Sequence, residues 1–226
     1  MTHALYIVIA SACILMLAYR FYGIFFVSKV LAANDAEAFD EVRPYLGFLR
    51  TAGGVTVSGG EPLAQPAFVG ALLRVLHDEH GIHTAIDTQG FPSRKLHDDW
   101  FDAVDLVLLD IKHIDPARYQ SITGHALAPT LDFAARMVRL GKPMWIRHVL
   151  VPGLTDNPDD LSRLADYQAG LGPLVERVDL LPFHQLGAHK WKALGYPDPL
   201  ARTPTPTPGQ VATAIGTLRN RELPVF

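Results

Sequence analysis

The sequence has 226 residues, 49% of them hydrophobic and 19% charged, with a formal net charge of −3. That composition excludes a disordered chain and is enough for one α/β domain or barrel with its own core. Basic residues are scattered, so there is no electrostatic footprint for nucleic acid, and the single cysteine, Cys13, excludes an internal disulfide or a four-thiolate metal site.

Ala4 to Val27 reads ALYIVIASACILMLAYRFYGIFFV, with Arg20 its only charge. About 20 apolar residues cross a bilayer core, so residues 4–27 predict a transmembrane helix. A buried core helix is the alternative. A signal peptide fits less well, because no basic stretch precedes the apolar run and no small-x-small site follows it. Arg20 lies toward the C-terminal end, between Tyr19 and Tyr22, where it can reach the interface. Arg20 and Lys29 both follow the run, so the positive-inside rule places the remainder in the cytoplasm, anchored at the inner membrane. The composition changes near residue 35, giving a hydrophobic segment over 1–35 and a domain over 36–226.

From Ala36 onward β-branched runs alternate with helical patterns. Helices are expected over Ala36–Arg50, Gln65–His80, Ser93–Phe101, Thr130–Leu140, Pro158–Ala169 and Gln210–Arg219. Strands are expected over Val55–Ser58, Ile82–Asp87, Val104–Asp110, Met144–Val149, Val178–Phe183 and Leu223–Phe226. Gly141 and Pro143 supply the stop after Leu140, and Thr203–Pro208 is an extended connector. Repeated β-α alternation predicts a parallel sheet or barrel.

Polar residues recur where each strand ends: Ser58, Gly59, Gly60 and Glu61, then Asp87 and Thr88, Asp110 and Lys112, Arg147 and His148, and finally His184. Ligand sites of parallel α/β folds lie at the carboxyl ends of the strands, so these residues predict one shared mouth. Blander readings stand beside it. Gly59-Gly60 can be a plain turn, Glu61-Pro62 an ordinary helix start, Asp87 and Asp110 helix caps, and Lys112 a solvated charge. His77, His80 and His83 lack the HExxH spacing, and a polar helix end explains them better than a metal site.

Five strings carry a family resemblance: GGVTVSGGEPL (Gly53–Leu63), DTQGF (Asp87–Phe91), DLVLLDIKH (Asp105–His113), WIRHVLVPGLTD (Trp145–Asp156) and LLPFHQLGAHKW (Leu180–Trp191). In this order and spacing they resemble the glycyl-radical-enzyme activating proteins of the radical SAM superfamily. The resemblance implies an incomplete (β/α)₆ barrel, with S-adenosylmethionine (SAM) and a [4Fe–4S] cluster as cofactors. It also implies reductive cleavage of SAM to a 5′-deoxyadenosyl radical, and a glycyl radical enzyme of the pyruvate formate-lyase type as partner. By the same resemblance Gly59, Gly60, Glu61, Asp110, Ile111, Lys112, Arg147, Val149 and His184 contact SAM, and Asp87 and Thr88 hold a monovalent cation beside it. The family is cytoplasmic.

One departure bears on chemistry. The family's cluster is held by a CxxxCxxC loop upstream of the GGEP string, and this sequence has no such loop. Cys13 alone cannot hold a cubane, so the sequence predicts impaired catalysis or a non-catalytic remnant that binds SAM or partner weakly. The first β-α unit of the barrel is expected to be missing too, leaving an open sheet edge. Ala4–Asp35 resembles the first membrane helix of the carbon starvation transporters, so a joined reading frame is the expectation.

Overall fold

A computed structural model describes residues 35–226, and the expected membrane helix over 4–27, Cys13 and the junction near residue 35 lie outside the described residues. Among those described, no helix is long and apolar enough to cross a membrane. The chain opens with helices α1 (Asp35–Val42) and α2 (Leu46–Ala52), joined by the turn Arg43–Tyr45. Five parallel strands follow: β1 (Val55–Val57), β2 (Thr84–Thr88), β3 (Leu106–Asp110), β4 (Met144–Leu150) and β5 (Val175–Pro182). They lie side by side in chain order. Among the described residues β1 pairs only with β2.

The pleat divides each strand between two faces. On β4, Met144, Ile146, His148 and Leu150 are buried while Trp145, Arg147 and Val149 are half-buried. The buried face packs under α3 (Pro66–Arg74), α5 (Ala128–Arg139) and α6 (Pro158–Gly170). α5 buries Thr130, Phe133, Ala134 and Met137, and α6 buries Leu161, Leu164, Ala165 and Gln168. In both the spacing is i, i+3, i+4, i+7, one stripe of a helix. Each Leu or Phe fully buried this way stabilises the fold by about 1.5–3 kcal/mol. Among the described residues the other, more open face of the sheet carries the half-buried side chains.

Helix starts follow local chemistry. Asp115 caps α4 (Pro116–Thr123) through Ala117 N–H and Arg118 N–H at 3.1 and 3.0 Å. Asn157 caps α6 in the same way, and Thr207 forms a capping box with Gln210 at the start of α8 (Pro208–Arg219). A Pro follows each cap at the first helical position, where its missing N–H costs nothing.

Three expectations are corrected. Ser93–Phe101 is not one helix but two 3₁₀ turns, Phe91–Lys95 and Asp98–Phe101. The Arg136 guanidinium takes the Ser93 and Leu96 carbonyls at 3.1 and 2.6 Å and the Asp98 carboxylate at 2.6 Å, which holds Leu96 in extended backbone between the two turns. Arg139 and Arg136 together hold the Asp98 carboxyl down to about 2. The tail strand Leu223–Phe226 shrinks to one bridge, Val225 to Val178, because Pro224 has no N–H to donate. Finally, α4 and the short α7 (Ala188–Leu194) occupy stretches that the sequence reading left without helices.

Candidate functional site

The carboxyl ends of β1–β4 converge on one charged network. Asp87, on the open face of β2, accepts from the Ser58 hydroxyl at 2.9 Å and pairs with the Arg147 guanidinium from β4. Arg147 Nε also reaches Asp110 Oδ1 of β3 at 3.1 Å, and Lys112 Nζ donates to Asp110 Oδ2 at 2.7 Å. Register explains this meeting, because Asp110 lies directly opposite Arg147. Two carboxylates and two cations, each 17–29% exposed, thus neutralise one another at the mouth. Neither aspartate caps a helix, and Lys112 is not a free solvated charge.

Before them runs the Ser58–Glu61 loop. Gly59 and Gly60 adopt φ +99° and +51°, and a Cβ on either would meet nothing within 4 Å. Their glycine requirement is therefore conformational, and the space above them is open for a ligand. The Glu61 carboxylate turns inward instead. It accepts from the Thr88 hydroxyl (2.5 Å), Gln89 N–H (2.9 Å) and Leu63 N–H (3.1 Å), which ties the glycine loop to the turn after β2.

The remaining candidates are distributed less uniformly. Thr88 is 3% exposed and its hydroxyl serves Glu61 and Gly90 N–H, so that hydroxyl does not join the Asp87 network. Ile111 is fully buried, its N–H on the Arg147 carbonyl and its own carbonyl on His148. Val149 shares the open face with Arg147. His184 is exposed and accepts from Leu186 N–H at 3.4 Å, without a bond to the charged network. A hollow of about 380 Å³ on the open face lies at the opposite ends of the strands, among Val55, Ala85, Leu106 and Trp145. No Lys or Arg lines it, so the charged mouth, with Lys112 and Arg147, is the better candidate for a ligand that carries a carboxylate.

Behind the mouth sit two histidines that composition did not single out for burial. His113 is 1% exposed, accepts from Asp115 N–H at 2.9 Å, and lies 3.6 Å from the Asp160 carboxylate. His148 lies between the carbonyls of Ile111 (2.8 Å) and Thr155 (3.4 Å). Burial pushes both below the ordinary value of 6.5. The unfolded chain therefore binds more protons as pH falls through 6.5, and stability declines there by at most about 1.4 kcal/mol per pH unit for each histidine. Urea midpoints flat above about pH 7 and falling by pH 5.5 are expected; midpoints that stay flat to pH 5.5 would contradict the burial of these rings as neutral species.

With this geometry in view, comparison with known proteins decides the lineage. The sequence profile of the radical SAM superfamily matches residues 33–165. The chain belongs to the radical SAM superfamily. It is 42% identical over 184 residues to the pyruvate formate-lyase-activating enzyme of Streptococcus mutans, covering 79% of this chain and 69% of that enzyme. It is 41% identical over 197 residues to the same enzyme of Staphylococcus epidermidis, covering 84% and 78%. Among solved structures, a domain of pyruvate-formate lyase-activating enzyme from Bacteroides vulgatus superposes with TM-score 0.65 at 26% identity, over 77% of this chain and 98% of that one. Streptococcus suis SuiB, at 16% identity and TM-score 0.65 over 86% and 42%, shares the fold alone. The radical SAM family uses SAM and a [4Fe–4S] cluster, so both groups must be weighed against the residues in hand.

Proposed function

We propose that the chain is an activating protein of the pyruvate formate-lyase-activating type whose strand-end mouth binds SAM, and that its partner is a glycyl radical enzyme. The observation that carries this reading is the Asp87–Arg147–Asp110–Lys112 network beside the open Gly59–Gly60 loop, in a chain of that family. Backbone groups at Gly59 and Gly60 suit an amino group, which a side chain there would obstruct. Lys112 suits a carboxylate, and the Asp87 carboxylate, next to Thr88, offers a hard oxygen for a monovalent cation. Val149 and His184 border the same end. The side chains of Glu61 and Thr88 are engaged with each other, and Ile111 is held in the core with both backbone groups bonded. SAM, when bound, supplies the hydrogen-abstracting 5′-deoxyadenosyl group of this reaction class. The finer architecture in this proposal is an incomplete (β/α)₆ barrel open beside β1, with a cytoplasmic setting as in the family.

The cluster fits the chain less well. The sequence holds one cysteine, and among the described residues no group of His, Cys, Asp or Glu is arranged to hold a metal ion. The described residues do not fit a [4Fe–4S] cluster. That thiol count favours a second reading, a SAM-binding protein without reductive cleavage.

SAM titration combined with anaerobic iron and sulfide reconstitution tests both readings. Both readings expect SAM to bind; if neither cluster absorbance nor 5′-deoxyadenosine forms, the activating reading falls and the binding-only reading stands. Formation of 5′-deoxyadenosine would overturn the binding-only reading, and failure to bind SAM would overturn both.

A further inference from the structure

Glu61 holds the turn after β2 from the front; a second set of bonds holds it from behind. Thr130, on α5, is fully buried and its hydroxyl donates to the Gln89 carbonyl at 2.8 Å. Tyr119, on α4, is fully buried as well, and its hydroxyl lies 2.9 Å from Thr130 Oγ1. A threonine hydroxyl has one proton, and Gln89 takes it. The Tyr119 hydroxyl must therefore be the donor to Thr130. Burial raises the Tyr119 phenol above its ordinary value of 10.0, consistent with that donor role.

The Gln89 peptide is thus gripped on both sides. Its carbonyl accepts from Thr130, and its N–H donates to Glu61 Oε2 at 2.9 Å. The other Glu61 oxygen accepts from Thr88 and Leu63. A continuous run of bonds therefore leads from Tyr119 through Thr130, Gln89 and Glu61 to the glycine loop.

We propose that Thr130, backed by Tyr119, is a positioning residue for SAM: it fixes the Gln89 peptide, so that Glu61 holds Gly59 and Gly60 in register with Asp87. This rests on the reading of the mouth as a SAM site. Without the Thr130 hydroxyl, the Gln89 carbonyl and the Tyr119 hydroxyl both lose their partner inside the protein. Buried polar groups are costly to leave unmade, so the turn shifts toward water and loosens the loop.

Three variants test it, each read by SAM affinity and by amide hydrogen exchange. Thr130→Val is expected to weaken SAM binding about tenfold and to speed exchange at Gln89 and Gly90, with sheet amides such as Ile86 unchanged. Thr130→Ser keeps the hydroxyl and is expected to bind within about twofold of wild type. Tyr119→Phe leaves the Thr130–Gln89 bond and is expected to weaken SAM about threefold. Should Thr130→Val not fold, Tyr119→Phe and Thr130→Ser decide alone: weakening in the first with none in the second supports the proposal. Wild-type affinity in Tyr119→Phe and Thr130→Val, or no rescue by serine, would overturn it. If the wild type itself binds no SAM, the functional reading fails, while exchange at Gln89 in Thr130→Val still decides whether Thr130 positions the turn.

Discussion

Gly90→Ala should be strongly destabilising. Gly90 adopts φ +73°, and a Cβ built on it would lie 2.4 Å from Cδ1 and 2.5 Å from Cγ of Phe133. Phe133 is 1% exposed and packs on Phe101 with ring centroids 5.8 Å apart, so the ring has nowhere to retreat. A left-handed non-glycine backbone costs about 1–3 kcal/mol and overpacking a core about the same. A loss of about 2–5 kcal/mol is expected in urea denaturation, against a typical domain stability of about 5–15 kcal/mol. Gly141→Ala is the control, because Gly141 has φ +69° but open space around the new Cβ. It should show the backbone strain alone, about 1–2 kcal/mol. Equal losses in the two variants would mean that the Phe133 contact does not matter.

Arg147→Met should be the most damaging change at the mouth. It withdraws the guanidinium that spans Asp87 and Asp110, leaving two facing carboxylates with only Ser58 and Lys112 as partners. Removing one member of a buried ion pair costs about 3–5 kcal/mol. These groups are about one-fifth exposed, so solvent screening brings the expected loss to about 2–3 kcal/mol. Arg147→Lys should recover part of that loss, because an ammonium restores charge but not the two-handed reach. Adding Asp87→Asn to Arg147→Met should also recover stability, since it removes one of the two facing charges. A double variant less stable than Arg147→Met would show that repulsion is not the cause. Denaturant midpoints of the four proteins measure this directly.

Much of the fold was legible because the signals were local. Gly141 marks a helix end by chemistry confined to a few residues, whereas α8 starts at Pro208, inside the stretch read as an extended connector. Asp110 and Lys112 two residues apart had to share a side of the chain, and their 2.7 Å contact follows from that. The same alternation turns Ile111 into the core, although the family strings alone gave no direction for its side chain. What was not legible depended on distant partners. The break at Leu96 needs Arg136, 40 residues later. The inward turn of Glu61 needs Thr88 and Gln89, 27 and 28 residues away. α4 was missed because its sequence PARYQSIT buries only Tyr119 and so shows no apolar stripe. Exposure of nearly every residue of α7 explains its omission in the same way. Thr130 read as one more residue in the first turn of a helix, and only the fold brings Gln89 against it.

The mouth formed by Gly59–Gly60, Asp87, Asp110, Lys112 and Arg147 is the proposed SAM site. Calorimetric titration of SAM into the purified chain, beside Lys112→Met, tests it most directly. Saturable one-to-one binding is predicted for the wild type, with affinity lowered about tenfold or more in the variant, since Lys112 is the cation placed for the ligand carboxylate. No binding by a folded wild type, or equal binding by the two proteins, would contradict the account.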